Sequence, residues 1–400
     1  MKKLVLSKYS KLLCLSLICL FLFNIDVFAQ RKKIEKERRE KQKREKVKKN
    51  TVAKLDSLPA AFIFQWQFAS RNTTKLPALA TNDTVYLPLD DGRVIALESQ
   101  NGQLRWETQP GGKIVSPLIA TNEQIYISSR LETENGSEGV LRVINKRTGL
   151  TAWTKKFTQA FSNPLTLVEQ TIYGANQDNN FYALSSESGN VNWTTTLGSV
   201  AKGKPLITDE EIFIGTEAGL IYSLSRNEGK VLWQFQAQGP LRGAATLDED
   251  NIFLGDSLGH VYCLDRDTGK LIWNVRTGAA VESAPQVFGK IVVITSFDNF
   301  VYGFNTKNGD TAWKMRLNGR LSFDPIVSND QLLITPQSSD QLFLLSSSGK
   351  PLGQFRIDNT NAIIAPPTLE ANELFLVTDE GLVAARAQEI VPKPKENKKN

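Results

Sequence analysis

The residues best equipped for chemistry stand together in HVYCLDRDTGKLIW (260–273): the single histidine of the chain, His260, then Cys263, Asp265 and Asp267. With one imidazole, catalysis or metal binding built on several histidines is excluded, and no Cys/His spacing suited to zinc occurs. Cys14 and Cys19, the other two cysteines, lie in an apolar N-terminal stretch. Once that stretch is removed, Cys263 has no partner for a disulfide. Neither G-x-x-x-x-G-K-[ST] nor G-x-S-x-G is present. Asp265 and Asp267 fall in a turn, where an aspartate bonds its own backbone.

The same residues read differently once the surrounding elements are considered. All seven tryptophans share one register: Trp66, Trp106, Trp153, Trp193, Trp233, Trp273 and Trp313, spaced 40, 47, 40, 40, 40 and 40 residues. Phe355 follows 42 residues on and is assigned the eighth equivalent slot. A glycine precedes Trp by four residues in six units (Gly102, Gly149, Gly189, Gly229, Gly269, Gly309), where a hairpin needs a left-handed residue. Ten residues before Trp stands a mostly small side chain: Ala96, Val143, Ala183, Ser223, Cys263 and Gly303. Cys263 is thus a packing residue. The slot of His260 holds Arg93, Val140, Asn180, Leu220 and Phe300 elsewhere, the variety expected of a strand-edge surface position.

Alternation of period two, with β-branched and aromatic residues, makes these segments strands. Self-similarity near 40 residues, four strands to a unit, predicts an all-β fold: an eight-bladed β-propeller of four-stranded antiparallel blades. The last unit (361–387) lacks an outer strand, whereas AFIFQWQFA (61–69) is an outer strand with no unit before it. An N-terminal strand joining the C-terminal blade closes the ring and removes a free edge. Trp wedges between neighbouring blades. The 47-residue interval carries RLETENGSEG (130–139), read as a protruding loop.

Charge is unevenly spread. The chain carries +6 overall, but residues 1–30 hold +3, residues 31–50 hold +8 and residues 389–400 hold +2, leaving 51–388 acidic. That argues against a nucleic-acid groove. Residues 1–29 have a basic start, a twelve-residue apolar stretch and VFA before Gln30, the pattern of a cleaved export signal. Residues 30–54 form a basic linker or helix, a solvated spacer by composition. A peripheral contact of residues 31–50 with an anionic membrane surface is the sharper alternative. The propeller spans 55–388 and a basic tail 389–400.

NFYALSSESGNVNW and HVYCLDRDTGKLIW resemble the pyrroloquinoline-quinone (PQQ) type propeller repeat, over about residues 60–387. For an exported ring of this size the resemblance is to the BamB family, propeller subunits of the machinery that inserts β-barrels into the outer membrane. It implies a periplasmic, non-catalytic scaffold without cofactor or metal, a monomer that binds a protein partner, with the barrel-insertion machinery as that partner. Members of that family typically carry a lipid-bearing cysteine at the mature N-terminus. Here Gln30 stands there, so attachment would come from charge or partners. Quinoprotein dehydrogenases and ligand-sensing propellers share the repeat and are the alternatives. The former resemble chains with a vicinal cysteine pair, which this sequence lacks.

Residues three before each repeat proline are expected to ring the funnel entrance, and GPLRGAA (239–245) breaks the repeat with Ala245 in the proline slot. The partner-binding set read from this rim is Leu241, Arg242, Lys202, Lys204, Phe161, Glu282, Arg320 and Leu321. A Leu/Arg-bearing loop resembles the family's partner-gripping site, which points to Leu241 and Arg242.

Overall fold

The computed structural model describes residues 58–388 apart from 135, 162, 329 and 358–360. The proposed export signal, basic run and tail lie outside the described residues.

Each strand quartet follows from one pattern: a short first strand, two apolar middle strands and a polar-edged fourth. The fourth blade shows it, with Leu206–Ile207, Glu211–Gly215, Leu220–Ser225 and Val231–Gln236 paired in that order. Both faces of its middle strands are buried, while the fourth strand alternates between exposed and half-buried residues. A sheet apolar on both faces must be covered on both, and the neighbouring blades supply the cover. The described residues form eight such sheets, the second divided at its innermost edge into Lys113–Ile114 and Ile119–Ala120. First strands of adjacent blades touch one another, so they line the axis.

The ring closes as the unmatched ends require. Phe62–Ala69 pairs antiparallel with Gly381–Ala387, placing Trp66 opposite Ala384. Pro59–Ala61 adds a second stitch: Ala60 bridges Gln354 in parallel, the Ala61 amide donates to the Gln354 carbonyl (2.7 Å), and the Gln354 amide donates to Pro59 (3.0 Å). Residues 59–69 therefore join two blades at once.

Tryptophan is the inter-blade contact. Each one sits opposite the small residue of its own blade, as in Cys263↔Trp273 and Gly303↔Trp313, and reaches the next blade's outer hairpin. Indole Nε1 donates to a carbonyl there in six cases, Trp66 to Ser99 (2.8 Å), Trp106 to Lys146 (3.1 Å), Trp193 to Arg226 (3.1 Å), Trp233 to Arg266 (2.8 Å), Trp273 to Thr306 (2.9 Å) and Trp313 to Ser347 (2.9 Å). Trp153 differs: its Nε1 is buried without a partner. The glycine four residues before six of the tryptophans does two jobs. Gly269 has φ +66°, and a Cβ there would lie 2.4 Å from the ring of Trp233 in the preceding blade. Cys263 is buried opposite Trp273, and burial pushes its thiol up to about 12.

Two expectations need correction. The seventh blade's true tryptophan slot is Gly353, opposite Leu344 and 40 residues after Trp313; Phe355 lies two residues further, on the same face. The adjoining blade has no outer hairpin to receive an indole, because its third and fourth strands, Gly381–Ala387 and Phe62–Ala69, are not consecutive in the chain. Phe355 instead packs edge-on against Phe62 at 6.0 Å. The 130–139 insertion is not a loop. Gln124–Thr133 and Gly136–Asn145 continue as a hairpin paired out to Thr133↔Gly136, since cross-strand hydrogen bonds satisfy its backbone.

Candidate partner-binding face

Turns between second and third strands share one face with the connectors between blades. Backbone bonds join the two sets: Leu241 donates to the Thr216 carbonyl, Ser257 to Pro240 and Phe297 to Ala280, each at 2.9 Å. The other face carries the turns between first and second strands and the outer hairpins, joined in the same way, as by Arg266 to Asp250 (2.9 Å).

On the first face the connectors pack tightly around the axis. A Cβ on Gly203 would meet the Gly243 carbonyl oxygen at 2.6 Å, and one on Gly243 would meet that of Ser283 at 2.8 Å. Side chains just before the repeat prolines stitch consecutive connectors. Ser116 Oγ donates to the Asn163 carbonyl (2.8 Å), Asn163 Nδ2 to the Gly203 carbonyl (3.2 Å), and the Ala284 amide to Asp324 Oδ1 (2.7 Å). Asp324 is itself exposed to solvent. Desolvation raises its carboxyl above the ordinary range, while the Ala284 amide and the charge of Lys204 pull the other way.

Arg242 stands at the centre of the charged part of this face. Its guanidinium forks onto Glu217 (Nε to Oε1 2.9 Å, Nη2 to Oε2 3.0 Å), and Nη1 donates to Glu282 Oε1 at 2.8 Å. Ser257 Oγ donates to the same Glu282 oxygen at 3.0 Å. Glu217 first, then Glu282, holds Arg242 more firmly protonated than a free guanidinium. One cation thus spans the fourth, fifth and sixth blades, with 43% of its side chain still open to solvent. Exposure screens these pairs, so they orient the side chain more than they stabilise the fold.

The structure divides the eight predicted residues. Arg242 and Glu282 are in contact, and Lys202, Lys204 and Arg320 are exposed on the same run of connectors. Arg320 lies over the Phe297 ring, 3.8 Å from its centroid. Leu241, Phe161 and Leu321 are each 1% exposed, and their side chains are corrected to core positions. Leu241 packs on Gly215, where a Cβ would lie 2.6 Å from its own. Phe161 stacks edge-on with Phe157 (4.8 Å) and Tyr182 (5.4 Å). Leu241 and Leu321 stand four residues before the repeat-proline slot, an inward position occupied also by Ala201, Val281 and Ile363, all buried, whereas Phe161 stands three before Pro164. Glu217 and Ser257 were missed. They occupy the second-to-third turns TEAG and DSLG, which the face-sharing rule would have placed beside the connectors.

His260 also departs from expectation. Its Nδ1 lies 3.1 Å from Oδ2 of Asp256, a fully buried carboxylate. Asp256 further accepts from the Tyr262 hydroxyl (2.7 Å) and the amides of Gly239 (3.0 Å), Leu258 (2.9 Å) and His260 (2.8 Å). Those bonds fix the turn beside the Arg242 connector, so the imidazole is a tied structural group. Among the described residues no three His, Cys, Asp or Glu side chains converge as a metal site requires.

The family model described as outer membrane protein assembly factor BamB matches residues 64–137, 137–246 and 217–389, most of the chain. The chain belongs to the BamB family. BamB from Moraxella catarrhalis superposes with TM-score 0.66 at 16% identity, covering 81% of this chain and 98% of that one. The computationally designed Ika8 protein gives 0.69 at 15%, covering 82% and 100%. The quinohemoprotein alcohol dehydrogenase ADHIIG from Pseudomonas putida HK5 gives 0.66 at 10%, covering 84% and 78%. At such identities these likenesses speak for the fold alone. No curated protein matches. This BamB-family chain is thus an eight-bladed PQQ-repeat ring whose connector face presents Arg242 between Glu217 and Glu282.

Proposed function

We propose that this protein is a non-catalytic scaffold on the periplasmic side of the outer membrane that docks a protein partner during β-barrel assembly. Family membership supports the setting. The observation that carries the docking reading is the Arg242 fork, a pre-oriented, half-open cation beside exposed Lys202, Lys204 and Arg320. Charged groups held in place at low entropy cost suit protein recognition and set partner choice and on-rate. Residues 1–29 serve export in this reading, and 30–54 bridge the ring to its surroundings. The protein acts as a monomer and without a cofactor.

Arg242→Glu with Lys204→Glu tests it in a crosslinked pull-down from the native envelope. The barrel-insertion machinery should co-purify with the wild type and fall at least about tenfold with the double variant, the order expected for rim charge reversal. Unchanged melting temperature shows the ring intact. Undiminished capture by a folded variant would overturn the docking face. Saturable uptake of pyrroloquinoline quinone, read by absorbance, would overturn the non-catalytic assignment.

A further inference from the structure

One seam of the ring lacks its indole. Between the sixth and seventh blades, Trp313 lies over Gly303, where a Cβ would sit 2.4 Å from the ring, and its Nε1 reaches Ser347. Trp313 therefore roofs the pair Val293↔Gly303. One blade on, Gly353 takes the tryptophan position and the pair beneath is Leu333↔Leu344. Leu344 is larger than the residue in the corresponding slot of most other blades, which returns part of the missing volume. A cavity of about 360 Å³ lies at this seam, lined by Phe62, Leu333, Leu344 and Leu369 together with Gln331 and Asn372. Leu333 and Leu344 are 2% and 8% exposed, so the cavity reaches the blade core. Its volume falls within the roughly 300–1,000 Å³ of small-ligand sites.

We propose that this seam cavity is a binding site for an aromatic side chain of a partner polypeptide, received where the other seams hold their own tryptophan. The occupant's chemistry follows from the siblings. Six seams seat an indole on an apolar floor with its N–H on an oxygen at the edge. Here the floor is apolar and the rim carries the amides of Gln331 and Asn372, with acceptor oxygens for an indole N–H. A planar aromatic contributes large buried area at low entropy cost, which makes it an anchor residue. The cavity lies on the face of outer hairpins, away from Arg242, and does not rest on the role proposed above.

N-Acetyl-tryptophanamide, with N-acetyl-leucinamide as control, tests the site by saturation-transfer NMR and calorimetry on the mature chain. The tryptophan probe should bind saturably and about tenfold more tightly than the leucine probe, a difference of about 1.4 kcal/mol. Gly353→Trp should abolish that binding while melting at or above the wild-type temperature. If Gly353→Trp misfolds, Gln331→Phe at the rim provides the second block and should weaken the same binding. Equal, non-saturable signals from both probes would overturn the proposal, as would tryptophanamide binding that survives both folded variants. It would also fall if Ile390→Asp with Val391→Asp confers binding that the wild type lacks, because the chain's own tail would then be the occupant.

Discussion

The indole Nε1 of Trp233 donates to the main-chain carbonyl of Arg266, 2.8 Å away and thirty-three residues on, across a blade boundary. The same offset recurs at Trp66, Trp193 and Trp273, becomes thirty-four at Trp313 and forty at Trp106, and fails at Trp153, whose Nε1 has no acceptor.

That exception separates packing from hydrogen bonding. Trp233→Ala should cost about 3–5 kcal/mol by lost burial and cavity formation. Trp233→Phe keeps most of the ring but leaves the Arg266 carbonyl unpaired, so it should cost about 1 kcal/mol more than Trp153→Phe, which forfeits no bond. Chemical denaturation of the four proteins measures this. Equal losses for the two Phe variants would show that the indole N–H contributes nothing at these seams.

Gly269 and Gly289 form a matched pair. Both have left-handed backbones, φ +66° and +64°, but a Cβ on Gly269 would meet Trp233 at 2.4 Å whereas one on Gly289 would meet nothing within 4 Å. Gly289→Ala should cost only backbone strain, about 1–2 kcal/mol. Gly269→Ala adds displacement of an indole and should cost distinctly more, with a drop in tryptophan fluorescence polarity signals specific to that variant. Melting temperatures that fall equally would remove the close-approach role of the hairpin glycine.

Asp324 gives the pH dependence a sign. Desolvation raises its carboxyl in the folded ring relative to the unfolded chain, so the folded state binds more protons between the two values. Stability is complete below the unfolded value, falls as pH rises through the folded one, and stays reduced at neutrality. Asp324→Asn can still accept from the Ala284 amide. It should therefore raise the melting temperature at pH 7, with the gain shrinking towards zero as pH drops below the carboxylate range. A gain independent of pH would mean that charge desolvation is not its cause.

Much of the ring is legible in the residue string. Fixed tryptophan spacing, glycine four residues earlier and a small residue ten earlier specify blade number and strand order, because a repeated unit must satisfy the same local backbone and packing demands each time. The fourth-strand fragment at 61–69 and the incomplete unit at 361–387 reveal closure for the same reason. The partner-binding side chains are less legible. Leu241 and Arg242 are neighbours in a connector, yet one is buried on Gly215 and the other forks onto Glu217. A count from the nearest proline gives position but not inward or outward aim.

What the sequence by itself determined is the period: strands, turns, blade count and the wedge residue, all set by local stereochemistry and alternation. Only the tertiary structure decided which side chains cross a seam, that Gly353 rather than Phe355 stands in the eighth tryptophan slot, and that an inserted stretch runs as a paired hairpin. Those outcomes depend on what the neighbouring blade presents, and the neighbour built from strands 62–69 and 381–387 has no hairpin to offer. The repeat was broken there by closure itself, a long-range constraint that no forty-residue window contains.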